Sequence, residues 1–263
     1  MARLFEWQVG FVGPSGYFDA SPTDFLHIAP LGMGVQARSL ARPLPHQESA
    51  GAAQTIEEAI LEAGSALSRS GADLVALVGT NWSPLGLRSY DDTLAFCARI
   101  EAVIGARSVS APKALIDSLR AMGAARIGIN ATYSAPEWRD RLADYFTSSG
   151  FSVAYCGNYV DLGLFSETRD LLEHNGFFPE YLAEASICRV WDHAPDVDAI
   201  VATGIPSFVD KVGRTRRMLH LTSDLESRVP VPIVATDTAL YQAILRELGL
   251  SQVMPGLRMS IGY

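Results

Sequence analysis

Two stretches of the sequence decide the fold: residues 73–80 read DLVALVGT and residues 198–204 read DAIVATG. Each begins with an aspartate, continues through an apolar run of strand length and ends in a turn of glycine and threonine. Short apolar runs bounded by turn residues are typical of buried strands. The two stretches lie 125 positions apart, which predicts that two halves of the chain share one plan.

Two further pairs of segments repeat in the same order. Residues 8–13 (QVGFVG) match residues 126–131 (RIGINA) at an offset of 118, and residues 119–123 (LRAMG) match residues 245–249 (LRELG) at an offset of 126. Similarity at a fixed period indicates an internal repeat. The matches favour a pseudo-duplication, although any α/β protein contains similar strand, turn and helix segments.

Apolar strands alternate with amphipathic helices along the whole chain. Strands are predicted at residues 9–12, 74–78, 107–110, 127–130, 153–155, 199–202 and 232–235. Helices are predicted after capping boxes at residues 55–58 and 134–137, and at residues 90–104, 112–122, 165–192 (in two pieces) and 238–248. Such alternation indicates a mainly parallel sheet that is covered on both faces.

The expected fold class is α/β with two pseudo-symmetric domains, each a mainly parallel sheet flanked by helices. The first half comprises residues 1–111 plus the returning segment 237–263, and the second comprises residues 112–236. Ligands of such sheets bind beyond the carboxyl ends of the strands. We therefore expect the site in a cleft between two halves that meet face to face.

Composition and charge exclude several classes of protein. The chain has 263 residues, 48% of them hydrophobic and 19% charged, with a formal net charge of −8. The short basic cluster of Arg214, Arg216 and Arg217 is interpreted as a solvated helix end, with one member open to an anionic substrate. We expect no nucleic-acid partner because no basic stripe is present. With no signal-peptide or membrane-spanning pattern, the predicted location is the cytoplasm and no membrane partner is expected.

The sequence also lacks the patterns of common cofactor and metal sites. Cys97, Cys156 and Cys188 are odd in number and widely spaced, so they are interpreted as reduced packing residues. The segment 10–16 (GFVGPSG) has neither dinucleotide nor phosphate-loop spacing. The five histidines form no pair at ligand spacing on a helix. No cofactor and no metal are predicted.

Neutral hydrogen-bond donors follow several of the predicted strands. They are Ser15, Thr80, Asn81, Tyr133, Ser134 and Thr203, and the turns at residues 13–16 and 203–204 can present backbone N–H groups. Preorganised donors in a dry cleft stabilise a carboxylate or a developing enediolate. The pattern predicts a small-anion site, with helix capping as the alternative role of each serine and threonine. Lys113 and Asp237 lie where a base would act, with capping or a solvated charge as their alternative.

Residues 79–81 (GTN), 130–133 (NATY) and 203–204 (TG) resemble strand-end motifs of the aspartate/glutamate racemase superfamily. The branch they resemble is that of maleate cis-trans isomerase and arylmalonate decarboxylase. Residues 13–15 (GPS), 114–127 and 254–256 (MPG) are similar to its first loop, linking helix and closing turn, so that the resemblance runs through most of the chain. It implies two matched halves and cofactor-independent chemistry at a carbon next to a carboxylate.

The resemblance also implies roles for single residues. Racemases and isomerases of the superfamily use one cysteine from each half, and Gly79 and Thr203 stand at those positions, so the chain lacks both family cysteines. Arylmalonate decarboxylase also has glycine at the first position, and its remaining cysteine delivers the proton. The implied catalytic set is Thr80, Asn81, Tyr133, Thr203 and Gly204. The implied substrate-binding set is Pro14, Ser15, Tyr17, Gly79, Trp82 and Ser134, although Tyr17 and Trp82 are equally suited to simple packing.

Three functional hypotheses follow. The first is a cofactor-independent, decarboxylase-like lyase that acts on a small malonate-like acid through an enediolate. The second is an isomerase, elimination enzyme or hydrolase for an unsaturated or cyclic acid. The third is a small-carboxylate binding protein without catalysis. Because a threonine hydroxyl stays protonated near neutral pH, two-thiol racemisation is not expected. The expected partner is a small carboxylic acid, and a homo-oligomer is left open.

Overall fold

The structure is a computed structural model. It describes residues 4–13, 19–40, 52–79, 87–132, 136–167, 177–203, 207–209, 212–213, 215–216, 218–225 and 227–250. By internal contacts the chain divides into two compact units. The first holds Met1–Leu87, Asp91–Ala114 and Leu240–Gln252, and the second holds Arg88–Tyr90, Leu115–Ala239 and Val253–Tyr263.

The first unit is built on a parallel sheet with the strand order β2-β1-β3-β4. Its elements are β1 (Trp7–Gly13), α1 (Ser21–Leu26), β2 (Met33–Ser39), α2 (Ala52–Arg69), β3 (Leu74–Leu77), α3 (Tyr90–Ile104), β4 (Arg107–Ser110) and the start of α4 (Ala111–Ala121). On one face, α2 and α3 pack their apolar side chains against Val75 and Leu77. On the other face, Phe11 contacts Phe25 of α1, which contacts Tyr241.

The second unit is built on a parallel sheet with the order β11-β8-β5-β6. Its elements are β5 (Arg126–Thr132), α5 (Pro136–Ser148), β6 (Ser152–Asn158), β7 (Phe177–Pro179), α6 (Glu180–His193), β8 (Ala199–Ala202), β9 (Ser207–Val209), β10 (Thr215–Arg216), α7 (Met218–Leu225), β11 (Ile233–Ala235) and α8 (Thr236–Glu247), whose later turns lie in the first unit. Ile187, Val190 and Leu221 of α6 and α7 pack on β8 and β11, and α5 lies against β5 and β6.

The two sheets have the same topology and the same register in their central strands. Val9 pairs with Leu74 in the first sheet, and Ile127 pairs with Ala199 in the second. From Val9 to Ile127 is 118 positions and from Leu74 to Ala199 is 125, which are two of the three offsets at which the sequence repeats. The prediction of two pseudo-symmetric α/β halves with parallel sheets flanked by helices is therefore confirmed.

An aspartate fixes the amino end of the central strand pair in both units. Asp73 accepts a hydrogen bond from the backbone N–H of Gln8 at 2.9 Å. Asp198 accepts from the N–H groups of Arg126 and Ala125, each at 2.8 Å. These bonds satisfy backbone donors at the start of β1 and β5. The aspartate that begins each repeated sequence block thus has the same structural role.

A glycine in each inner strand allows a helix to pack closely on the sheet. A Cβ atom at Gly10 would lie 2.9 Å from Leu67 of α2, and a Cβ atom at Gly128 would lie 2.8 Å from Val190 of α6. Contacts this short require a residue without a side chain. The two glycines occupy matching positions in the repeat, so the duplication extends to helix packing.

Several elements differ from the sequence-based predictions. The capping box at residues 55–58 does not begin α2, because the helix already starts at Ala52 and alanine has the highest helix propensity. Phe177–Pro179, predicted as helix, is a strand that pairs with β9. The first piece of the helix predicted over residues 165–192 lies largely outside the described residues, because these omit 168–176. The sequence also gave no prediction of β2, an edge strand whose residues 36–39 are exposed. Exposed edge strands lack the apolar alternation that identifies a strand.

Candidate active site

Most of the predicted site residues lie outside the residues that the structure describes. These are Pro14, Ser15, Tyr17, Thr80, Asn81, Trp82, Tyr133, Ser134 and Gly204. Gly79 and Thr203 are described, and so are Gly13 and Thr132, the residues that precede Pro14 and Tyr133 in sequence. In each unit, the described residues next to the predicted site residues lie at the carboxyl ends of the central strands.

Gly79 follows β3 in the first unit and has a backbone conformation that favours glycine. Its φ is +89°, in the region that residues with a side chain rarely adopt. The preceding residue, Val78, still donates its N–H to Val12 at 2.9 Å, so the sheet ends immediately before the turn. Any side chain at position 79 would be strained there, which gives a structural reason for the glycine.

Thr203 follows β8 in the second unit and is completely buried. Its backbone N–H and its hydroxyl both donate to the carbonyl oxygen of Asn130, at 2.9 and 3.1 Å. Its own carbonyl accepts a hydrogen bond from the hydroxyl of Thr132. The Thr203 hydroxyl proton is thus donated within the sheet. Donation to a substrate would require the hydroxyl to break its hydrogen bond with the carbonyl of Asn130.

A strained turn at the end of β5 is the main feature that sequence reasoning missed. Thr132 has φ +50° and is the single residue other than glycine with positive φ in the described parts of the chain. The pairing of β5 with β6 passes from Asn130–Gly157 to Thr132–Asn158, so Ala131 is an extra residue and forms a bulge. Bulges and left-handed side-chain residues are enriched at functional sites.

The side chain of Asn130 holds this turn from inside the second unit. Its Oδ1 accepts the N–H of Thr132 at 2.9 Å, and its Nδ2 donates to the hydroxyl of Ser186 on α6 at 2.6 Å. Ser186 in turn donates to the carbonyl of Ala183 at 2.8 Å. Asn130, Thr132 and Ser186 are all completely buried. A buried polar network in which every member has a partner rigidifies its surroundings.

The two candidate bases lie in the first turns of helices that directly follow strands. Lys113 is on α4 in the first unit, and its backbone N–H donates to Ser110 Oγ at 3.5 Å. Asp237 is buried on α8, and its Oδ1 accepts the N–H of Thr238 at 2.9 Å. The neighbouring Thr236 donates its hydroxyl to the carbonyl of Ala202 at 3.2 Å. The Asp237 bond joins adjacent residues and is not the bond of an N-cap, which reaches the N–H two or three residues further on.

None of the three thiols is tuned toward the reactive thiolate. Burial raises the pKa of Cys97, whose thiol donates to Ser110 Oγ at 3.7 Å. Burial raises the pKa of Cys156 to about 12, and its thiol donates to the carbonyl of Arg139 at 3.6 Å. Burial also raises the pKa of Cys188 on α6. A cysteine that acts as nucleophile or acid–base group usually has a lowered pKa.

Two further properties follow from the described part of the chain. Its His, Cys, Asp and Glu side chains include no group of three that could hold a metal ion. None of its helices is both long and apolar enough to cross a membrane.

Comparison with known proteins identifies the family. A family model described as arylmalonate decarboxylase matches residues 19–259. The fold is similar to a crystal structure of arylmalonate decarboxylase, with a TM-score of 0.68 and 20% identity, covering 95% of this chain and 96% of that chain. It is also similar to maleate isomerases of Nocardia farcinica and Pseudomonas putida, each with a TM-score of 0.70 and 17% identity over 95% of this chain and 96% of the other. No curated protein matches the chain.

These identities show a shared fold, whereas the family model spans most of the chain. The resemblance inferred from the strand-end motifs is confirmed, and with it the prediction of a family of enzymes. The chain belongs to the arylmalonate decarboxylase family.

Proposed function

We propose that this protein is a cofactor-independent lyase that decarboxylates a small malonate-like acid through an enediolate. The observation that carries the proposal is the match of the arylmalonate decarboxylase model to residues 19–259. The family's name supplies the substrate class, a malonate in which two carboxylates share one carbon. The buried polar ends of β5 and β8 support the proposal because they adjoin Tyr133 and Gly204 in sequence.

The chemistry requires hydrogen-bond donors and one proton. When the bond between the α-carbon and one carboxylate breaks, carbon dioxide leaves and the electron pair remains on the α-carbon. It delocalises into the second carboxylate as an enediolate, and a proton must then be added at that carbon. We assign Thr80, Asn81, Tyr133 and the Gly204 amide to hold the enediolate. The loss of one such donor costs on the order of 100-fold in rate.

Pro14, Ser15, Tyr17, Gly79, Trp82 and Ser134 would complete the pocket. The proton would come from water. Thr203 stands at the family's thiol position, but its hydroxyl proton is engaged with Asn130. Cys97 lies on α3, Cys156 lies within β6 and Cys188 lies on α6, so none of them is at the carboxyl end of a central strand. Their positions support a mechanism without a thiol acid.

Isomerisation of an unsaturated diacid is the second candidate, because two solved structures of similar fold are maleate isomerases. A variant of the Nocardia enzyme carries a covalently bound succinylcysteine intermediate, so that enzyme forms an adduct through a cysteine. The present chain has Thr203 at the position expected for such a cysteine. Isomerisation here would therefore need another nucleophile or a base such as Asp237 or Lys113.

Proton NMR in D2O tests both candidates in one format. The purified protein is incubated with phenylmalonate, alkylmalonates, maleate and related unsaturated diacids. The proposal predicts loss of a carboxylate and deuterium at the α-carbon of a malonate. Change of alkene geometry without decarboxylation would instead establish the isomerase. Binding of an acid, seen as line broadening, without any turnover would replace both with the binding-protein alternative.

A tyrosine pair gives the matched control. Tyr133→Phe removes a proposed anion donor and should lower turnover by on the order of 100-fold. Tyr181→Phe makes the same chemical change at a tyrosine on α6 that is 63% exposed, and should leave turnover unchanged. Equal activity of Tyr133→Phe and the wild type would rule out the assigned role of Tyr133.

A further inference from the structure

The ends of β5 and β8 are joined by side chains as well as by the sheet. Thr132 donates its hydroxyl to the carbonyl of Thr203, and Thr203 donates its hydroxyl back to the carbonyl of Asn130. The Thr132 hydroxyl has one proton, and its distance to Asn130 Oδ1 is 3.4 Å, so the proton belongs to the bond with Thr203. These reciprocal bonds make each strand end depend on the other.

The conformation of Thr132 is unfavourable and needs support. A β-branched residue in the left-handed region is a genuine outlier, and such strain persists only where the surroundings over-determine it. The support comes from Asn130, whose planar amide offers an acceptor to the Thr132 N–H and a donor to Ser186. Aspartate lacks the donor and leucine lacks both functions, so an amide fits both contacts.

We infer that Asn130 is a positioning residue: through Ser186 it anchors the Thr132 turn to α6, and through Thr132 it fixes Thr203. Tyr133 and Gly204 each follow one of these two residues by a single peptide bond. The inference thus rests on the proposed function for its catalytic consequence. A shift of about 1 Å in a group that contacts the reacting atoms costs on the order of 100-fold in rate.

Amide hydrogen exchange tests the structural part of the inference without any substrate. Asn130→Ala should speed exchange in β5 and also in residues 199–203, which comprise β8 and Thr203 after it. Ser186→Ala, a milder change that leaves Asn130 in place, should do the same to a smaller extent. Faster exchange in β5 alone would overturn the inference, because the two strand ends would then be independent.

Ser149→Ala is the matched control within the same unit. Ser149 is a buried hydroxyl that donates to the carbonyl of Tyr145 at 2.7 Å and accepts the N–H of Tyr90 at 3.0 Å. Its loss should lower Tm, as the Asn130 and Ser186 variants do, without affecting exchange at the ends of β5 and β8.

Steady-state kinetics with phenylmalonate test the catalytic part. Asn130→Ala should lower kcat by about 10- to 100-fold with little change in KM, since misplaced donors affect the transition state most. In a Thr132→Gly background the same substitution should cost much less, because glycine adopts a positive φ without support. Ser149→Ala should leave kcat unchanged.

Hydrogen exchange and steady-state kinetics together distinguish failure of this inference from failure of the proposed function. If the wild type turns over no acid, the proposed function fails, and the exchange measurement alone decides whether Asn130 couples the two strand ends. If the wild type is active, equal losses of kcat in Asn130→Ala and Ser149→Ala would overturn the inference. An undiminished loss in the Thr132→Gly background would overturn it as well.

Discussion

The two parallel sheets are alike at their amino ends and differ at their carboxyl ends. Both have an aspartate bonded to the start of the inner strand and a glycine beneath the packed helix. At the other end, β1 pairs with β2 without a shift from Trp7 to Gly13, whereas β5 bulges at Ala131 and enters the strained Thr132 turn. Val78 and Thr203 occupy matching positions, since both donate their N–H across the sheet in the same register.

The features that the two sheets share stabilise the fold, and the features that differ lie near the predicted site. The shared features lie in the strands and in the helix contacts, where they determine register and packing. The differing features lie at the edge where ligands of parallel sheets bind. The first sheet ends in Val78 and Gly79, while the second ends in buried hydroxyl and amide groups. The carboxyl ends of the two sheets therefore differ in the groups that they carry.

The glycine pair should give the largest effect on stability. Gly10→Ala and Gly128→Ala each place a methyl group under 3.0 Å from a helix side chain. We expect each to lower the free energy of unfolding by about 2 kcal/mol, measured by urea denaturation. Gly64→Ala is the control, because it lies within α2, its nearest contact is 3.2 Å and alanine favours the helix. Destabilisation in one unit only would break the structural equivalence of the two sheets.

Thr203→Val should have a smaller effect on stability. It makes the second sheet resemble the first, which has Val78 at the position that matches Thr203. The carbonyl of Asn130 still accepts the hydrogen bond from the backbone N–H of residue 203. We therefore expect the free energy of unfolding to fall by about 1 kcal/mol, measured by urea denaturation. Thr222→Val is the matched control, since that buried hydroxyl donates to Met218 at 2.7 Å within α7. Turnover should fall in Thr203→Val but not in Thr222→Val. Equal turnover in the two variants would show that the hydroxyl at the strand end does not matter.

The aspartates at the amino ends should give the smallest effect. The N–H groups of Arg126 and Ala125 lower the pKa of Asp198. The ionised Asp198 carboxylate therefore makes its full contribution to the free energy of unfolding above the ordinary aspartate pKa. This contribution is lost as the pH falls through the lowered pKa of the folded state. Because the carboxylate is exposed and screened by solvent, Asp198→Asn should cost on the order of 0.5 kcal/mol at neutral pH.

Urea denaturation at a series of acidic pH values tests this prediction by measuring the free energy of unfolding. The difference between wild type and Asp198→Asn should shrink as pH falls below about 4, where the Asp198 carboxyl of the unfolded chain begins to be protonated. A difference that grows toward acid pH would have the wrong sign and would contradict the role of Asp198.

Sequence reasoning predicted the fold because the signals of a parallel α/β protein are local. The runs at residues 74–78 and 199–202 are apolar and bounded by turns, and the repeat offsets agree with the strand register. It failed at β2, whose outer half is exposed, and at Phe177–Pro179, whose strand form depends on pairing with distant β9. Both strands depend on tertiary contacts, which a local sequence pattern does not indicate.

The candidate site was predictable only in part. Strand-end position identified Gly79 and Thr203, but not the reason for glycine, which is the backbone conformation of the turn. Asn130 and Thr132 lie in the motif at residues 130–133, but they were given no role of their own because a bulge and a left-handed threonine have no sequence signature. One signal was present: polar residues at positions 130 and 132 continue an otherwise apolar buried strand. Buried polar residues require partners, so they mark a network.

We propose that the family's reaction proceeds in this protein without a thiol. The most direct test of this proposal is a variant in which Cys97, Cys156 and Cys188 are all replaced by alanine, assayed by NMR in D2O beside the wild type on the malonate that the wild type consumes. We predict wild-type turnover, equal deuterium incorporation and the same dependence on pH. A folded variant that has lost on the order of 100-fold or more in rate would contradict the account and show that one of these thiols takes part in catalysis.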